Sequence, residues 1–326
     1  MAANMQSVAS PLNTRSVKIC PLLDVHIGGI PGAYNLSLGF KLIHCRQSIR
    51  RAVFQKITDM NLSIPGGWLR NRLCSHCIVW SPSKASEHAT LSLISLVARC
   101  IPSMRMLGLF MILEGVEREG RIKLSFYQNG WGSPPKRPKV QGITFEYLLP
   151  YLSPEETWIS TGAMQPFGRD WCECNTGDLR DFSTYLVAIA NFSSETNKET
   201  RLLRALRSLH SAFFCNDWEM RFLRLMGTLE CLLVTDEKVR SAIAERVTAY
   251  LGQDTISCVT VRKMKHLYDV SSNIRHGRKL GNLEPDLILE LESIVRDVLK
   301  RIFDSGHQQI FCGSSKQIEH FFTSQS

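Results

Sequence analysis

The feature that most constrains the fold is a change of periodicity near residue 176. Beyond it, apolar residues recur at three- and four-residue spacing, the pattern of amphipathic helices. The segments with this pattern are 179–191, 198–214, 217–234, 236–251, 261–274 and 287–303. Asp217 and Asp236 are typical helix starts, while Gly252 and Gly277 are typical helix ends. Because the connections are short, the sequence predicts antiparallel neighbours in an all-α bundle.

The chain before residue 176 has a different pattern of apolar residues. Segments 17–30 and 34–44 read as extended, 121–128 alternates between apolar and polar residues, and 140–148 again reads as extended. The apolar run 89–100 predicts a short helix. Strand-like segments separated by turn residues, together with a helix, predict an α+β region that contains an antiparallel sheet.

The strand-like pattern and the helical pattern together predict a two-domain α+β protein, since 326 residues are enough for two hydrophobic cores. We place an N-terminal α+β domain with an antiparallel sheet at 1–170 and a helical domain at 171–305. Residues 306–326 are polar and carry several serines, so we expect a flexible tail there.

Charge and composition limit the kinds of binding partner and cellular location that we expect for the chain. Lysine and arginine total 39 against 30 acidic residues, a net charge of +9 that favours an acidic partner such as nucleic acid. The first 12 residues are polar, and the apolar stretch 89–115 is interrupted by Arg99, Pro102 and Arg105, so we expect neither a secretion signal nor a membrane span. Eleven cysteines, an odd number, favour a reducing cytoplasm over a disulfide framework.

Two short cysteine groups raise the question of a metal. They are Cys74-Ser75-His76-Cys77 and Cys172-Glu173-Cys174, and roughly 100 residues separate them. This spacing matches no common zinc finger, so buried free thiols are the preferred interpretation over a structural zinc. The glycine-rich stretch 28–32 lacks the Lys-Ser or Lys-Thr of a phosphate-binding loop. We therefore expect no metal and no cofactor.

Residues 261–279 read VRKMKHLYDVSSNIRHGRK, with Leu267-Tyr268-Asp269 leading to His276-Gly277. This segment resembles the signature helix of ApeA-like domains in the HEPN ribonuclease superfamily. Segments 222–233, which contains Leu-Glu-x-Leu-Leu, and 242–251 are similar to the two helices that precede it. The resemblance covers about 130 of the 326 residues. It implies an HEPN-like helical bundle that cleaves RNA without metal, as a homodimer, in microbial antiviral defence or as a toxin.

One departure from the family pattern affects the site. Where the family has an arginine, followed by a polar residue and later by the histidine, this chain has Ser271 and Ser272. Serine cannot offer a positive charge to phosphate. Arg275 stands one helical turn after Ser271, and one hypothesis is that its side chain reaches back to replace the missing arginine. The alternative is that Arg275 is a solvated or dimer-rim charge and that the site is inactive.

The resemblance assigns roles to the end of this helix. His276 would transfer protons, Arg275 would clamp phosphate, and Asn273 or Ser272 would orient these groups. The attacking oxygen would be the RNA 2′-hydroxyl, giving a 2′,3′-cyclic phosphate and a 5′-hydroxyl. Polar residues, Asp269 among them, follow one face of the same helix. The residues expected to contact RNA are Arg262, Lys263, Lys265, His266, Arg278 and Lys279.

Two other functions stay open. The helical domain could be a non-catalytic HEPN module for RNA binding or dimerisation, which the serine at 271 favours. The chain could also be a toxin that a regulatory protein partner inhibits through the N-terminal domain, for which a sensor or regulatory role is expected.

Overall fold

The structure is a computed structural model. It describes residues 14–23, 25–29, 33–45, 47–59, 73–81, 87–105, 107–109, 113–118, 121–124, 172–195, 200–213, 215, 217–235, 239–252, 259–278 and 285–324. The segment 140–148, the end of 121–128, and Lys279 lie outside these ranges. The described chain is mostly helical, with an antiparallel sheet in its N-terminal part and helices throughout its C-terminal part.

The N-terminal part is built around an antiparallel sheet. Its strands are β1 Thr14–Leu23, β3 Ala33–Asn35, β4 Lys41–His44, β5 Leu73–Trp80, β6 Gly108–Leu109, β7 Leu113–Arg118 and β8 Arg121–Leu124. Their order is β3-β4-β5-β1-β7-β8, and β6 pairs with the end of β1. Two further strands, β2 Val25–Ile27 and β9 Cys172–Cys174, form a separate parallel pair.

Strand β1 is the centre of this sheet, because β5 lies on one side of it and β7 on the other. Successive residues from Val17 to Leu22 are buried, so β1 is covered on both faces. The register against β5 shifts between Pro21 and Leu23. A proline has no amide hydrogen for the ladder, and such an irregularity is where a strand tolerates it.

In the described part of the chain, two helices accompany the sheet, α1 Gln47–Asp59 and α2 Glu87–Cys100, followed by a 3₁₀ turn at Pro102–Met104. The helix expected over 89–100 is confirmed by α2. The sequence patterns did not predict α1, whose residues include Arg50, Arg51 and Gln55 between its apolar positions.

The C-terminal part consists of consecutive helices, and the sequence predicted six of them in place. They are α3 Thr176–Glu195, α4 Arg201–Phe213, α5 Trp218–Leu233, α6 Val239–Leu251, α7 Val261–Arg275 and α8 Pro285–Asp304. Asp217 caps α5 by accepting a hydrogen bond from the amide of Met220 at 2.7 Å. Gly252 and Gly277 follow α6 and α7 at φ of 69° and 63°, the left-handed conformation that favours glycine.

The prediction of a flexible tail over 306–326 was wrong for its described part. This segment forms α9 Gln308–Cys312 and α10 Ser315–Thr323. Phe311 and Ile318 are fully buried, and the ring of Phe311 lies 5.3 Å from that of Tyr250 on α6. Glu319 on α10 accepts a hydrogen bond from Arg246 at 2.5 Å. Apolar side chains spaced among serines and glutamines bury this segment although its composition is polar.

Buried residues of the two parts form one continuous hydrophobic cluster, from Cys20 on β1 to Phe322 on α10. Helix α2 connects them, because it packs against α3 and α4. Among the described residues, no helix combines the length and the apolar character needed to cross a membrane.

Candidate functional site

Helix α7 carries most of the predicted site. It begins at Thr260, whose hydroxyl accepts a hydrogen bond from the amide of Lys263 at 3.2 Å. One face packs against α6 and α5. The buried residues on that face are Met264, Leu267, Val270, Ser271 and Ile274. The helix is therefore held along its length, and its charged residues lie outside this packed face.

The C-terminal end of α7 is closed by backbone hydrogen bonds. The amide of Gly277 donates to the carbonyl of Ile274, and the amide of Arg278 donates to the carbonyl of Asn273, both at 3.0 Å. This pair of bonds around a left-handed glycine is the Schellman arrangement. His276 occupies the cap position and is exposed. Its imidazole is therefore presented to solvent on a fixed backbone.

Arg275 contacts a residue that the sequence analysis did not select. Its Nη2 donates to Oε1 of Glu230 at 2.5 Å, and its side chain is 38% exposed. Glu230 lies on α5, inside the segment 222–233 that contains Leu-Glu-x-Leu-Leu. The ion pair therefore joins α5 and α7. A carboxylate within a quoted motif was the signal that could have identified Glu230.

The neighbouring serines differ in their surroundings. Ser271 is fully buried, and its hydroxyl makes no hydrogen bond to any residue that the structure describes. An arginine at 271 would have to enter the packed face of α7, so a small side chain suits this position. Ser272 and Asn273 are half-buried, and Oδ1 of Asn273 accepts a weak hydrogen bond from Arg278 at 3.3 Å.

Several charges along α7 are paired with neighbouring helices. Arg240 on α6 holds both carboxylate oxygens of Asp269 at 2.7 and 2.6 Å, and these hydrogen bonds lower the pKa of Asp269. Lys263 forms an ion pair with Glu290 on α8. Arg262 and His266 are exposed, and Lys265 is half-buried. Of the predicted RNA-contacting residues, Arg262, Lys263, Lys265 and His266 thus lie on α7 and Arg278 just after it, and the charge of Lys263 is neutralised by Glu290.

The predicted zinc alternative can be followed only in part, because the side chains of Cys74 and Cys172 are outside the description. The thiols of Cys77 and Cys174 are buried, and each donates a weak hydrogen bond to a backbone carbonyl. His76, which immediately precedes Cys77, is also buried, and burial with the nearby His44 and His26 lowers its pKa to about 4. Within the described residues, no three histidine, cysteine or acidic side chains are arranged to hold a metal ion.

Comparison with known proteins adds no relative to this picture. No protein-family model matches the chain, no curated protein matches it, and no solved structure matches it.

Proposed function

We propose that this protein is a metal-independent endoribonuclease whose catalytic groups lie at the C-terminal end of α7. The observation that carries the proposal is the Arg275–Glu230 ion pair next to the exposed His276. It brings a guanidinium and an imidazole to the same helix end, and it links the two segments that resemble ApeA-like HEPN domains. The reaction is the one that the resemblance implies, and the side chains of Arg275 and His276 are the groups that would carry it out.

The proposed reaction requires proton transfer and charge stabilisation. One group removes the proton of the ribose 2′-hydroxyl, the same or a second group protonates the 5′-oxygen that leaves, and a cation stabilises the phosphorane. Histidine suits the proton transfers because it generally titrates near neutral pH. A guanidinium suits the phosphorane because its planar fork matches two phosphate oxygens. His276 and Arg275 take these roles, with Asn273 and Ser272 orienting them.

In this proposal, Glu230 positions Arg275 until RNA arrives. The pair is partly exposed, at 38% for Arg275 and 24% for Glu230, so a phosphate can compete with the carboxylate for the guanidinium. Arg262, Lys265, His266 and Arg278 lie on the outer side of α7 or just beyond it and would contact the RNA backbone. A homodimer formed through the helical part would bring two such helix ends into one composite site.

The test is RNA cleavage with identification of the product ends. Wild-type protein is expected to yield 2′,3′-cyclic phosphate and 5′-hydroxyl ends in the presence of EDTA. His276→Ala is expected to lower the rate about 100-fold or more, the usual scale for losing a general acid–base group. His320→Ala is the matched control, since it removes an exposed histidine from α10 that has no role in the proposed site. Cleavage that His276→Ala leaves intact would exclude the proposed site.

Two observations favour a second candidate, a non-catalytic module for RNA binding or dimerisation. Glu230 already neutralises Arg275, and the position of the family arginine is a buried serine. This candidate predicts RNA affinity that falls steeply with salt and no cleavage by the wild type. Arg275→Ala separates the two, because it should abolish cleavage in the first case and weaken binding only slightly in the second.

A further inference from the structure

The arginines that border the helical part fall into two groups that differ in their surroundings. One group surrounds Glu292 on α8. Arg221 donates to its Oε2 at 3.3 Å, Arg296 binds its Oε1, and Nη1 of Arg105 lies 3.8 Å from the same oxygen. The protein itself therefore supplies a carboxylate to these guanidiniums. The second group lies on the exposed side of α4 and α5, where a ligand from solvent can reach its charges.

Helix α4 carries positive charge without acidic residues of its own. Its sequence, RLLRALRSLHSAF, contains Arg201, Arg204 and Arg207 but no aspartate or glutamate. Arg204 and Arg207 are exposed, and so is Arg224 on α5. Neither Arg204 nor Arg224 forms an ion pair with any residue that the structure describes, although Arg224 forms a hydrogen bond with the thiol of Cys215. These two side chains therefore keep their charge and have donors that face water.

Contacts between α4 and α5 fix which residues of the two helices lie side by side. Near the start of α4, Arg201 donates to the carbonyl of Cys231 at 3.3 Å and to that of Val234 at 2.6 Å. Further along α4, the hydroxyl of Ser208 donates to the carbonyl of Arg224 at 2.8 Å. The N-terminal end of α4 therefore lies beside the C-terminal end of α5, and the two helices are antiparallel.

This alignment places the exposed arginines near the proposed catalytic groups. Arg204 lies between residues 201 and 208 of α4, so it is level with the part of α5 that contains Glu230, the partner of Arg275 on α7. Arg224 precedes Glu230 by less than two helical turns, which is about 9 Å at about 1.5 Å per residue. Both α4 and α7 pack against α5. A short strand of RNA bound at the end of α7 can therefore reach both arginines by crossing one helix.

The surface of α5 that such a strand would cross is uncharged. Leu223 and Gly227 are half-buried there, and residues 225–229 contain no carboxylate. The exposed acidic residues Asp217 and Glu219 lie at the start of α5, at the end away from α7's partner carboxylate. No described carboxylate of α5 thus stands between the two sets of cations to repel a phosphate backbone.

We propose that the exposed face of α4 and α5 binds the phosphate backbone of single-stranded RNA, with Arg204 and Arg224 as phosphate contacts outside the site of cleavage. This inference rests on the proposed function, which selects RNA among polyanions. Guanidiniums suit the role because they stay charged and offer several donors to phosphate oxygens. A single strand is favoured over a duplex, because it can bend across one helix and because attack by its own 2′-hydroxyl requires a nucleotide that can leave helical geometry.

The experiment is a fluorescence-anisotropy titration of a labelled 2′-O-methyl oligouridylate with the full chain at several salt concentrations. The methyl group blocks attack by the 2′-oxygen, so binding is measured without cleavage. Arg204→Gln and Arg224→Gln should each weaken binding and make the slope of log affinity against log salt shallower by about 0.7, the value of one phosphate contact to a single strand. The double variant should change the slope by about 1.4. Arg180→Gln is the matched control, because it removes an exposed arginine from α3, and it should keep the wild-type slope.

An unchanged slope in either Arg204→Gln or Arg224→Gln, or an equal loss in Arg180→Gln, would overturn the proposal. Polyglutamate that displaces the probe as well as unlabelled RNA does would also overturn it, since an acidic protein would then be the favoured partner.

Cleavage assays separate this inference from the proposed function. At saturating RNA, Arg204→Gln and Arg224→Gln should cleave at the wild-type rate and only their KM should rise, because neither contact lies at the scissile phosphate. Wild-type affinity in both variants of a protein that cleaves RNA would refute this inference alone. Weakened binding in both variants of a protein that does not cleave RNA would refute the proposed function and leave the RNA-binding face supported.

Discussion

The charges at the end of α7 and the charges around Glu292 are of the same residue types but have different surroundings. Arg240 and Asp269 near α7 are 49% and 47% exposed, whereas Arg221 and Glu292 are 3% and 1% exposed. Water and salt screen the first pair, so its contribution to stability is small. The second pair has no such screening, and each member depends on the other.

This contrast separates two uses of arginine in one chain. Near α7, a guanidinium can leave its carboxylate for another anion at little cost, as the proposed function requires. Around Glu292, a guanidinium that left the carboxylate would leave both charges buried without compensation. Exposure, more than the number of ion pairs, therefore distinguishes a surface that exchanges partners from a cluster that supports the fold.

The largest expected effect is that of removing the buried carboxylate. Glu292→Ala should lower the free energy of unfolding by about 3–5 kcal/mol, because it leaves several arginines buried without their partner. Asp269→Ala is the matched change at the surface and should leave the denaturation midpoint nearly unchanged. Urea denaturation of both variants measures the difference. Equal losses would mean that burial does not separate the two regions.

A smaller effect is expected on acidification. Burial, with the nearby Arg99, lowers the pKa of His210 to about 3 in the folded protein, whereas an unfolded histidine titrates at about 6.5. The unfolded chain therefore binds the proton first, and stability that is present above pH 6.5 is lost as the pH falls towards 3. Between pH 6.5 and 4.5 this amounts to about 2 kcal/mol from His210.

His210→Asn keeps a hydrogen-bond acceptor for Arg99 but cannot be protonated in this range. Its free energy of unfolding should fall by about 2 kcal/mol less than that of wild type between pH 6.5 and 4.5. His76, whose pKa is lowered to about 4, accounts for a remaining acid dependence in both proteins. The exposed His266→Asn should behave as wild type. A wild-type acid profile in His210→Asn would show that His210 does not couple stability to pH.

The smallest effect concerns a buried group without charge. Ser271→Ala should raise the free energy of unfolding by about 0.5–1 kcal/mol, since it removes a buried hydroxyl that has no described hydrogen-bond partner. Ser272→Ala on the same helix is half-buried and controls for the higher helix propensity of alanine. The difference between their thermal midpoints measures burial alone, and a destabilised Ser271→Ala would indicate a partner for this hydroxyl.

Helices with a regular apolar face were predictable from local pattern, whereas features that depend on distant contacts were not. Segments 179–191 to 287–303 reappear as α3 to α8, shifted by a few residues at their ends. Helix α1 was missed because its arginines and glutamine interrupt the pattern. Tail helices α9 and α10 were missed because polar composition was weighed more heavily than the spacing of Phe311, Ile318 and Phe322.

The buried charges around Glu292, namely those of Arg99, Arg105, Arg221 and Arg296, could not be predicted for a different reason. Arg99 and Arg105 were read as interruptions of an apolar stretch, although Arg99 is buried where α2 packs against the bundle. Glu292 and Arg296 occupy inward positions of α8, in line with Ile288 and Leu299. Charges on the apolar stripe of a helix were the available signal, but their partners come from elements far away in the sequence.

The parallel pairing of β2 with β9 also constrains biosynthesis. Val25 pairs with Cys172 and Ile27 with Cys174, so β2 lacks this partner strand while the ribosome makes the intervening chain. The ladder can close only after residue 174 has left the exit tunnel. Pairing two strands so far apart in the sequence costs much conformational entropy, and this cost favours slow folding. A fragment that begins at 171 would therefore lack the strand against which its first residues are paired.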